Sequence, residues 1–168
     1  MEETSIEKAL AGFKPESIVF VVSYDKKNKR PSGMIAGWSM QCSSNPYMFA
    51  IALWKKGYTH KLIQQTKEFV IAIPNKKIEK AIEIFGTTHG DKVDKFELTK
   101  LKTLSAKHIR PPLLADATTN LECRVEQEID PGDHIIFIGR VLAAYADEKG
   151  KVLLNMGKVN GKRVFQEF

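Results

Sequence analysis

An uncharged stretch near the middle of the chain carries the side chains best suited to holding a small ligand. Between Arg30 and Lys55, 24 residues pass without a charged side chain, and they read PSGMIAGWSMQCSSNPYMFAIALW. Hydroxyl groups, amides and prolines interrupt the roughly 20 predominantly apolar residues that a membrane-spanning helix needs. We therefore predict two strands, 34–42 and 47–54, joined by a turn at 43–46. Small polar side chains on a buried strand usually face something polar, which indicates a bound ligand.

Basic residues flank this stretch, and two interpretations of them stay open. Most are solvated in turns, or some face a phosphate or another anionic substrate. The net charge of +6 and the pI near 9.2 also suit nucleic-acid binding, because clustered cations supply its sequence-independent part. The clusters are short, however, and we expect no nucleic-acid partner. They are Lys26, Lys27, Lys29 and Arg30 before the stretch, and Lys55, Lys56 and Lys61 after it.

The two cysteines and the first residues bear on compartment and metal content. Cys42 and Cys123 are too few for a zinc or iron–sulfur site without several other ligands, so we predict no metal centre. Met1 is followed by acidic residues rather than by basic residues and an apolar run, and we expect no leader peptide and a cytoplasmic location. In a reducing compartment both thiols are expected to be free and buried.

Hydrophobic patterning predicts mostly strands, with two short helices between them. Besides the pair above, strands are predicted at 17–24, 69–73, 120–129 and 134–145. Thr59 is expected to cap the first helix, and the second is expected from Asn75 to Gly86, which would end it. Along 120–129 the alternation places Cys123 on the buried face and Glu122 on the exposed face. Residues 87–114 are predicted to cross the surface as a long loop, and Asn160-Gly161 is predicted to be a hairpin turn.

These elements favour an antiparallel barrel over a parallel sheet. Tight turns join most strands, and no strand-helix-strand unit repeats. Neither GxGxxG nor a P-loop occurs, so we exclude a Rossmann nucleotide site. A length of 168 residues is enough for one core. We predict a single domain over 1–168, of which 1–12 is an N-terminal extension.

The order of motifs along the chain resembles the flavin reductase-like family. The motifs are GWS at 37–39 with Gln41, NP at 45–46, Lys55, YT at 58–59, FG at 85–86, DKF at 94–96, LEC at 121–123, and GDHIIFIG at 132–139. They extend over about residues 13–145, and the GDHxxFxG element is the most specific. The resemblance implies a mainly β fold, namely an FMN-binding split β-barrel of Greek-key antiparallel topology with short inserted helices. It also implies a homodimer that holds FMN near the subunit interface.

The resemblance further implies which residues serve the cofactor. Gly37 would allow close backbone approach and Trp38 would offer a flat face to the isoalloxazine ring, although Trp38 alone also suits a barrel core. Cations and hydroxyls near the start of the first helix would hold the phosphate. His134 and Cys42 are the predicted catalytic residues, since histidine exchanges protons near neutral pH. The predicted cofactor-binding residues are Ala36, Gly37, Trp38, Ser39, Gln41, Cys42, Ser43, Lys55, Tyr58, Thr59, His60 and Lys95.

Three functions are compared on this basis. The first is an enzyme that passes electrons from NADH or NADPH through FMN to free flavin, a ferric chelate or a protein. The alternative is a flavoredoxin-type electron carrier that does not itself use NAD(P)H, and its basic surface would suit an acidic redox partner. The third is a nucleic-acid-binding module, which would carry no chromophore. No motif distinguishes NADH from NADPH.

Overall fold

The computed structural model describes residues 2–168 and is mainly β, with 46% strand and 19% helix. The predicted fold class is therefore confirmed. A 3-10 turn at Lys76–Ile78 precedes the third helix. The helices are α1 (Ile6–Ala11), α2 (Tyr58–Thr66), α3 (Glu79–Thr87) and α4 (Lys95–Thr99). The strands are β1 (Glu16–Ser17), β2 (Val19–Asp25), β3 (Arg30–Ala36), β4 (Ser39–Ser44), β5 (Tyr47–Trp54), β6 (Glu68–Ile73), β7 (Thr103–Leu104), β8 (Leu113–Leu114), β9 (Thr119–Ile129), β10 (His134–Ala146), β11 (Leu153–Val159) and β12 (Lys162–Glu167).

Seven strands form one antiparallel sheet in the order β3-β2-β6-β9-β10-β5-β4. The two edge strands, β3 and β4, are consecutive in the chain and are joined only by Gly37 and Trp38. Because two residues span only about 7 Å, the sheet must curl until its edges approach one another. No hydrogen-bonded ladder between β3 and β4 closes the sheet within residues 2–168. The result is a split barrel rather than a closed one.

Two apolar clusters pack on opposite faces of the curled sheet, and β2 contributes to both. Val19 and Val21 point into the barrel, whereas Phe20 and Val22 point to the outer face, which α3 and α4 cover. This explains the continuous apolar run of β2, since a strand buried on both faces has no polar alternation. On the outer face, the rings of Phe20 and Phe85 meet edge to face at 5.0 Å, a geometry worth about 1 kcal/mol beyond burial.

Several predicted boundaries differ in the structure. The strand predicted at 34–42 is broken at Gly37-Trp38, where the chain crosses from one sheet edge to the other. Helix α2 is capped by Gly57 rather than by Thr59, which lies inside its first turn. Gly86 does not end the second predicted helix, because α3 continues to Thr87.

Glu122 corrects the face assignment on β9. Simple alternation predicts an exposed side chain, but Glu122 is 0% exposed. Its carboxylate accepts hydrogen bonds from the backbone N–H groups of Lys107 and His108, both at 2.7 Å, and from the hydroxyl of Tyr145 at 2.8 Å. Burial alone would raise the pKa of Glu122, but these hydrogen bonds outweigh it and lower the pKa. Glu122 therefore anchors the 100–112 segment on the sheet.

The C-terminal hairpin builds a second, smaller sheet. Strands β11 and β12 pair antiparallel across Asn160 and Gly161, which both have positive φ, so the predicted hairpin turn is confirmed. The two-residue strand β1 extends this sheet beside β11. The side chain of Asn155 donates a 2.7 Å hydrogen bond to Glu16 across that edge. Residues 148–150 form a turn, but β10 and β11 do not pair with each other.

Candidate functional site

Trp38 and His134 lie against each other at one end of the barrel. Their ring centroids are 4.7 Å apart and the ring planes are tilted by 42°. Trp38 is 63% exposed, so it is not the core residue that its type alone would also allow. His134, at the start of β10, is half-buried, and its Nδ1 lies 2.7 Å from a carboxylate oxygen of Asp133. The structure thus brings the predicted aromatic face and the predicted catalytic histidine together.

Lys55 lies at the same end and is engaged by the turn before β10. Its Nζ is 2.5 Å from a carboxylate oxygen of Asp130, and its backbone N–H donates to the carbonyl of Asp133 at 3.1 Å. The hydrogen bond from Lys55 lowers the pKa of Asp130, and the bond with His134 lowers the pKa of Asp133. The sequence alone assigned neither aspartate a role, although Asp133 belongs to the GDHIIFIG motif.

The first turn of α2 places a buried histidine beside the barrel interior. His60 is 5% exposed and packs on the ring of Phe137, with centroids 5.6 Å apart. Neither ring nitrogen of His60 has a well-formed hydrogen-bond partner among the described residues. Burial lowers the pKa of His60, while the charge of Glu128 and a weak backbone contact with Lys55 act in the opposite direction. The imidazole is therefore neutral near pH 7.

Ser39 presents a second buried polar group on the same inner face. It pairs with Ile51 across β4 and β5, and Ile51 pairs with Phe137 across β5 and β10. Paired residues of antiparallel strands share a face, so the Ser39 side chain points to the side on which Phe137 meets His60. Its Oγ is buried and has no hydrogen-bond partner among residues 2–168.

The rest of β4 forms an exposed edge. A bulge occurs between Gln41 and Ser43, and Cys42 occupies it. Cys42 is exposed, which corrects the expectation of two buried thiols, whereas Cys123 is buried and burial raises the pKa of its thiol to about 12. Gln41 is also exposed and donates to the carbonyl of Ser43 at 3.3 Å. Most side chains of this strand are therefore accessible to a ligand or a second protein.

Two other predicted cofactor-binding residues, Lys95 and Tyr58, already have hydrogen-bond partners within the protein. Lys95 lies in the outer-face core, where its Nζ donates to the carbonyls of Gly33 at 3.0 Å and Phe85 at 2.9 Å. Burial lowers its pKa from 10.5 to about 8. The hydroxyl of Tyr58 donates to the buried carboxylate of Asp25 at 2.7 Å. The structure therefore does not bring Lys95 to the end of the barrel where Trp38 and His134 meet.

Ala36 and Gly37 also have structural surroundings. Ala36 is a buried member of the barrel core. Beside Gly37, the position that a Cβ would take lies 3.5 Å from the carboxyl group of Glu16, an ordinary contact distance. Glu16 therefore occupies that side of Gly37 at ordinary contact distance, and the approach of a ligand to the backbone at Gly37 stays a prediction.

A match to a protein-family model identifies the family of this chain. The family described as Flavin reductase like domain matches residues 14–161, which is most of the chain. The chain belongs to the flavin reductase-like family. Flavin binding is thus supported by the family as well as by the motif order.

The relatives of this flavin reductase-like chain include proteins of several descriptions. It is 35% identical over 114 residues to an uncharacterized protein of Archaeoglobus fulgidus, a match that covers 68% of this chain and 64% of that protein. It is 28% identical over 131 residues to the ferric-chelate reductase (NAD(P)H) of the same organism, which covers 76% of this chain and 75% of that enzyme. A high molecular weight rubredoxin of Moorella thermoacetica is 36% identical over 121 residues, a match that covers 71% of this chain and 52% of that protein. The chain thus spans less than two thirds of the length of some relatives.

Solved structures share the fold of this flavin reductase-like chain. The flavoredoxin from Methanosarcina acetivorans superposes with a TM-score of 0.84 at 23% identity, covering 100% of this chain and 92% of that one. The NADH:FAD oxidoreductase of Streptomyces globisporus superposes with a TM-score of 0.85 at 24% identity, covering 100% of this chain and 98% of that one. An FMN-binding protein from Thermus thermophilus superposes with a TM-score of 0.82 at 22% identity, covering 99% of this chain and 94% of that one. No helix within residues 2–168 is both long and apolar enough to cross a membrane.

Proposed function

We propose that this chain binds FMN at the Trp38–His134 end of the barrel and acts as an NAD(P)H-dependent oxidoreductase. The acceptor is free flavin, a ferric chelate or a protein. The observation that carries the proposal is the pair of buried, unpartnered polar side chains, Ser39 and His60. Buried polar groups in proteins are nearly always hydrogen-bonded, and exceptions call for an explanation. Both exceptions here belong to the residue set that the motifs predicted.

The unpartnered groups fit the polar edge of a flavin. The hydroxyl of Ser39 can donate one hydrogen bond and accept others, while neutral His60 offers one donor and one acceptor. An isoalloxazine edge carries both ring carbonyls and ring nitrogens, so it can satisfy groups of both kinds. Because these polar atoms are closed to solvent in the flavin-free chain, flavin binding requires the side chains of Ser39 and His60 to turn toward the ring. A phosphate alone, which offers chiefly acceptor oxygens, would leave the acceptor nitrogen of His60 unsatisfied.

Lys55 and the start of α2 suit the phosphate of the cofactor. The N-cap of α2 is Gly57, which supplies no side-chain hydrogen bond to the first-turn N–H groups. These donors and the positive end of the helix favour an anion. Tyr58 and Thr59 both lie in that turn, although the hydroxyl of Tyr58 is bound to Asp25. Lys55 would exchange its half-exposed ion pair with Asp130 for the phosphate.

His134 and Cys42 are proposed to act at the reacting face. When bound, FMN accepts hydride from reduced nicotinamide and passes the electrons to an acceptor. Asp133 orients the imidazole of His134 through Nδ1, which leaves Nε2 free to position a nicotinamide or an acceptor and to exchange a proton. The indole of Trp38 packs against the imidazole of His134. Cys42 and Ser43 lie on β4, at the accessible edge of the sheet.

A homodimer is proposed because the β4 edge presents large apolar side chains to solvent. Trp38, Met40 and Tyr47 are each 63% exposed, and β4 has an unpaired backbone edge. Exposed apolar patches at a sheet edge typically mark an interaction surface. A second copy would cover this face and enclose the flavin, as the family resemblance implies. We also propose a single domain over 1–168 and a cytoplasmic location.

The second candidate function is a flavoredoxin-type FMN carrier that exchanges electrons with a partner protein. The similarity in fold to the Methanosarcina acetivorans flavoredoxin and the net charge of +6 favour it. A basic surface steers association with an acidic redox protein. In this case His134 would orient the cofactor or the partner rather than a nicotinamide.

Flavin titration followed by anaerobic reduction separates these functions. FMN fluorescence should be quenched saturably by the protein, and FAD titrated in parallel tests the preference for FMN. Absence of saturable binding of either flavin would overturn both candidates. The FMN-loaded protein is then mixed anaerobically with NADH or NADPH. Rapid bleaching of the visible absorption of oxidised flavin supports the reductase, whereas an unchanged spectrum that dithionite readily bleaches supports the carrier.

A further inference from the structure

A cleft lies between the C-terminal part of α3 and the β11–β12 hairpin. Its volume is about 360 Å³, within the range of about 300 to 1,000 Å³ that small-molecule sites occupy. Ile82 and Gly86 line it from α3, and Lys158, Arg163 and Phe165 line it from the hairpin. None of these residues belongs to the proposed flavin site, so the cleft is a separate feature of the fold.

The cationic side of the cleft lacks a counter-charge. Lys158 and Arg163 are directly opposite each other across β11 and β12, and like charges in that position destabilise a sheet. Neither side chain, nor that of Lys162 at the rim, forms a salt bridge with any residue in 2–168. Of the described residues that line the cleft, Glu83 alone carries a carboxylate. An anion between Lys158 and Arg163 would turn their repulsion into attraction.

The opposite part of the cleft is apolar and flat. Side chains alternate along a strand, so Arg163 and Phe165 point to the same face of β12, toward α3. Phe165 is half-buried and packs with the outer-face core, to which Ile82, 1% exposed, also belongs. The position that a Cβ would take on Gly86 lies 3.4 Å from the guanidinium of Arg163. The guanidinium of Arg163 therefore lies beside α3 at Gly86, and a planar guanidinium stacks well on rings.

We propose that this cleft binds a phosphorylated small molecule that carries a flat ring, of the nucleoside phosphate class. Lys158 and Arg163 bind the phosphate, Arg163 supplying a planar fork of donors. The ring lies over Phe165, the half-buried aromatic side chain of the cleft. Glu83 opposes the anion and limits the affinity. This site is independent of the flavin proposal, because it uses other elements and another face of the sheet.

Calorimetric titration of the whole chain with ADP, AMP, adenosine and pyrophosphate tests the site. FMN is itself a phosphorylated molecule with a flat ring, so the titrations are run first without FMN. They are then repeated with one equivalent of FMN per chain, so that ADP binding at the flavin site can be distinguished from binding at the cleft. We expect saturable binding of ADP, weaker binding of AMP, and much weaker binding of both adenosine and pyrophosphate. Equal binding of pyrophosphate and ADP would refute the role of the ring, and equal binding of adenosine and ADP would refute the role of the charge.

Single substitutions assign the binding to the cleft. Lys158→Ala and Arg163→Ala should each weaken ADP binding about tenfold, since a hydrogen bond to a charged group is worth roughly 1.5 kcal/mol or more. Glu83→Gln should strengthen it about threefold by removing the opposing charge. Lys149→Ala, at an exposed turn outside the cleft, is the matched control and should bind as the unmodified chain does. If ADP binds the unmodified chain but all four variants bind it equally, or if ADP does not bind at all, the proposal is wrong.

Discussion

Removal of Ser39 or His60 side-chain polarity should stabilise the free protein and weaken flavin binding at once. Both side chains bury polar atoms that have no partner within residues 2–168. Such atoms lose their hydrogen bonds to water on folding and gain none in return. Ser39→Ala and His60→Leu remove them while nearly keeping the volume that they fill. Opposite effects on stability and binding are the signature of groups retained for a ligand.

The size of both effects follows from the number of unpartnered atoms. One buried hydroxyl without a partner costs about 1 kcal/mol, so Ser39→Ala should raise the free energy of unfolding by about that amount. His60 leaves two ring nitrogens without a well-formed partner, and only a weak backbone contact with Lys55 compensates, so His60→Leu should raise it by about 1 to 2 kcal/mol. Because burial lowers the pKa of His60, this cost at pH 7 is that of a neutral ring. The loss of one hydrogen bond to FMN should weaken binding about fivefold to tenfold.

Urea unfolding of the flavin-free protein and FMN fluorescence titration measure the two quantities. Ser44→Ala is a matched control for Ser39→Ala, since Ser44 lies on the same strand with an exposed side chain, and it should change neither quantity. A Ser39→Ala protein that is less stable than the unmodified one would contradict the reasoning about the unpartnered hydroxyl. Unchanged FMN affinity in both variants would place the flavin elsewhere.

Three further predictions concern the aromatic face and two buried charges. Trp38→Ala should weaken FMN binding by about 1 to 3 kcal/mol in fluorescence titrations; unchanged affinity in a folded variant would limit Trp38 to covering His134. Glu122→Gln should lower the free energy of unfolding at pH 7 by about 2 to 3 kcal/mol, because an amide cannot accept from all three donors. Since the pKa of Glu122 is lowered from 4.5, its contribution is complete above that value and is lost as pH falls further. Lys95 has the opposite dependence: with a pKa lowered from 10.5 to about 8, the cost of burying its charge is complete below pH 8 and is relieved as pH rises toward 10.5. The urea midpoint of the unmodified chain should be higher at pH 10 than at pH 7.5. The midpoint of Lys95→Met, which cannot titrate at this position, should rise less between the two pH values. An equal rise in both proteins would refute the assignment of this pH dependence to Lys95.

Hydrophobic patterning and turn residues predicted the elements that are determined by residues close together in the sequence. The continuous apolar residues of β2 predicted a strand buried on both faces, and Asn160-Gly161 predicted a turn that needs positive φ. The uncharged stretch predicted extended chain at 39–42 and 47–54, where β4 and β5 lie. In each of these cases the deciding interactions lie within a few residues, so the sequence alone contains the information.

Glu122 and Lys95 show where local pattern fails. Alternation placed Glu122 in solvent, but a segment about 15 residues earlier folds over it and donates two backbone hydrogen bonds. Lys95 was predicted at the cofactor because of its motif, yet it reaches the carbonyl of Gly33, which is 62 residues away in the chain. A buried charge depends on partners from distant segments, and no local period encodes them.

The sequence by itself determined the fold class and the family, because these depend on periodicity, turn residues and motif order. Only the tertiary structure decided which of the predicted residues meet. It joined the two sheet edges through Gly37 and Trp38, placed Trp38 on His134, and left Ser39 and His60 buried without partners. The physical reason is that curling a sheet brings together side chains from strands that are far apart in the chain, and hydrogen-bond satisfaction can be judged only after they meet.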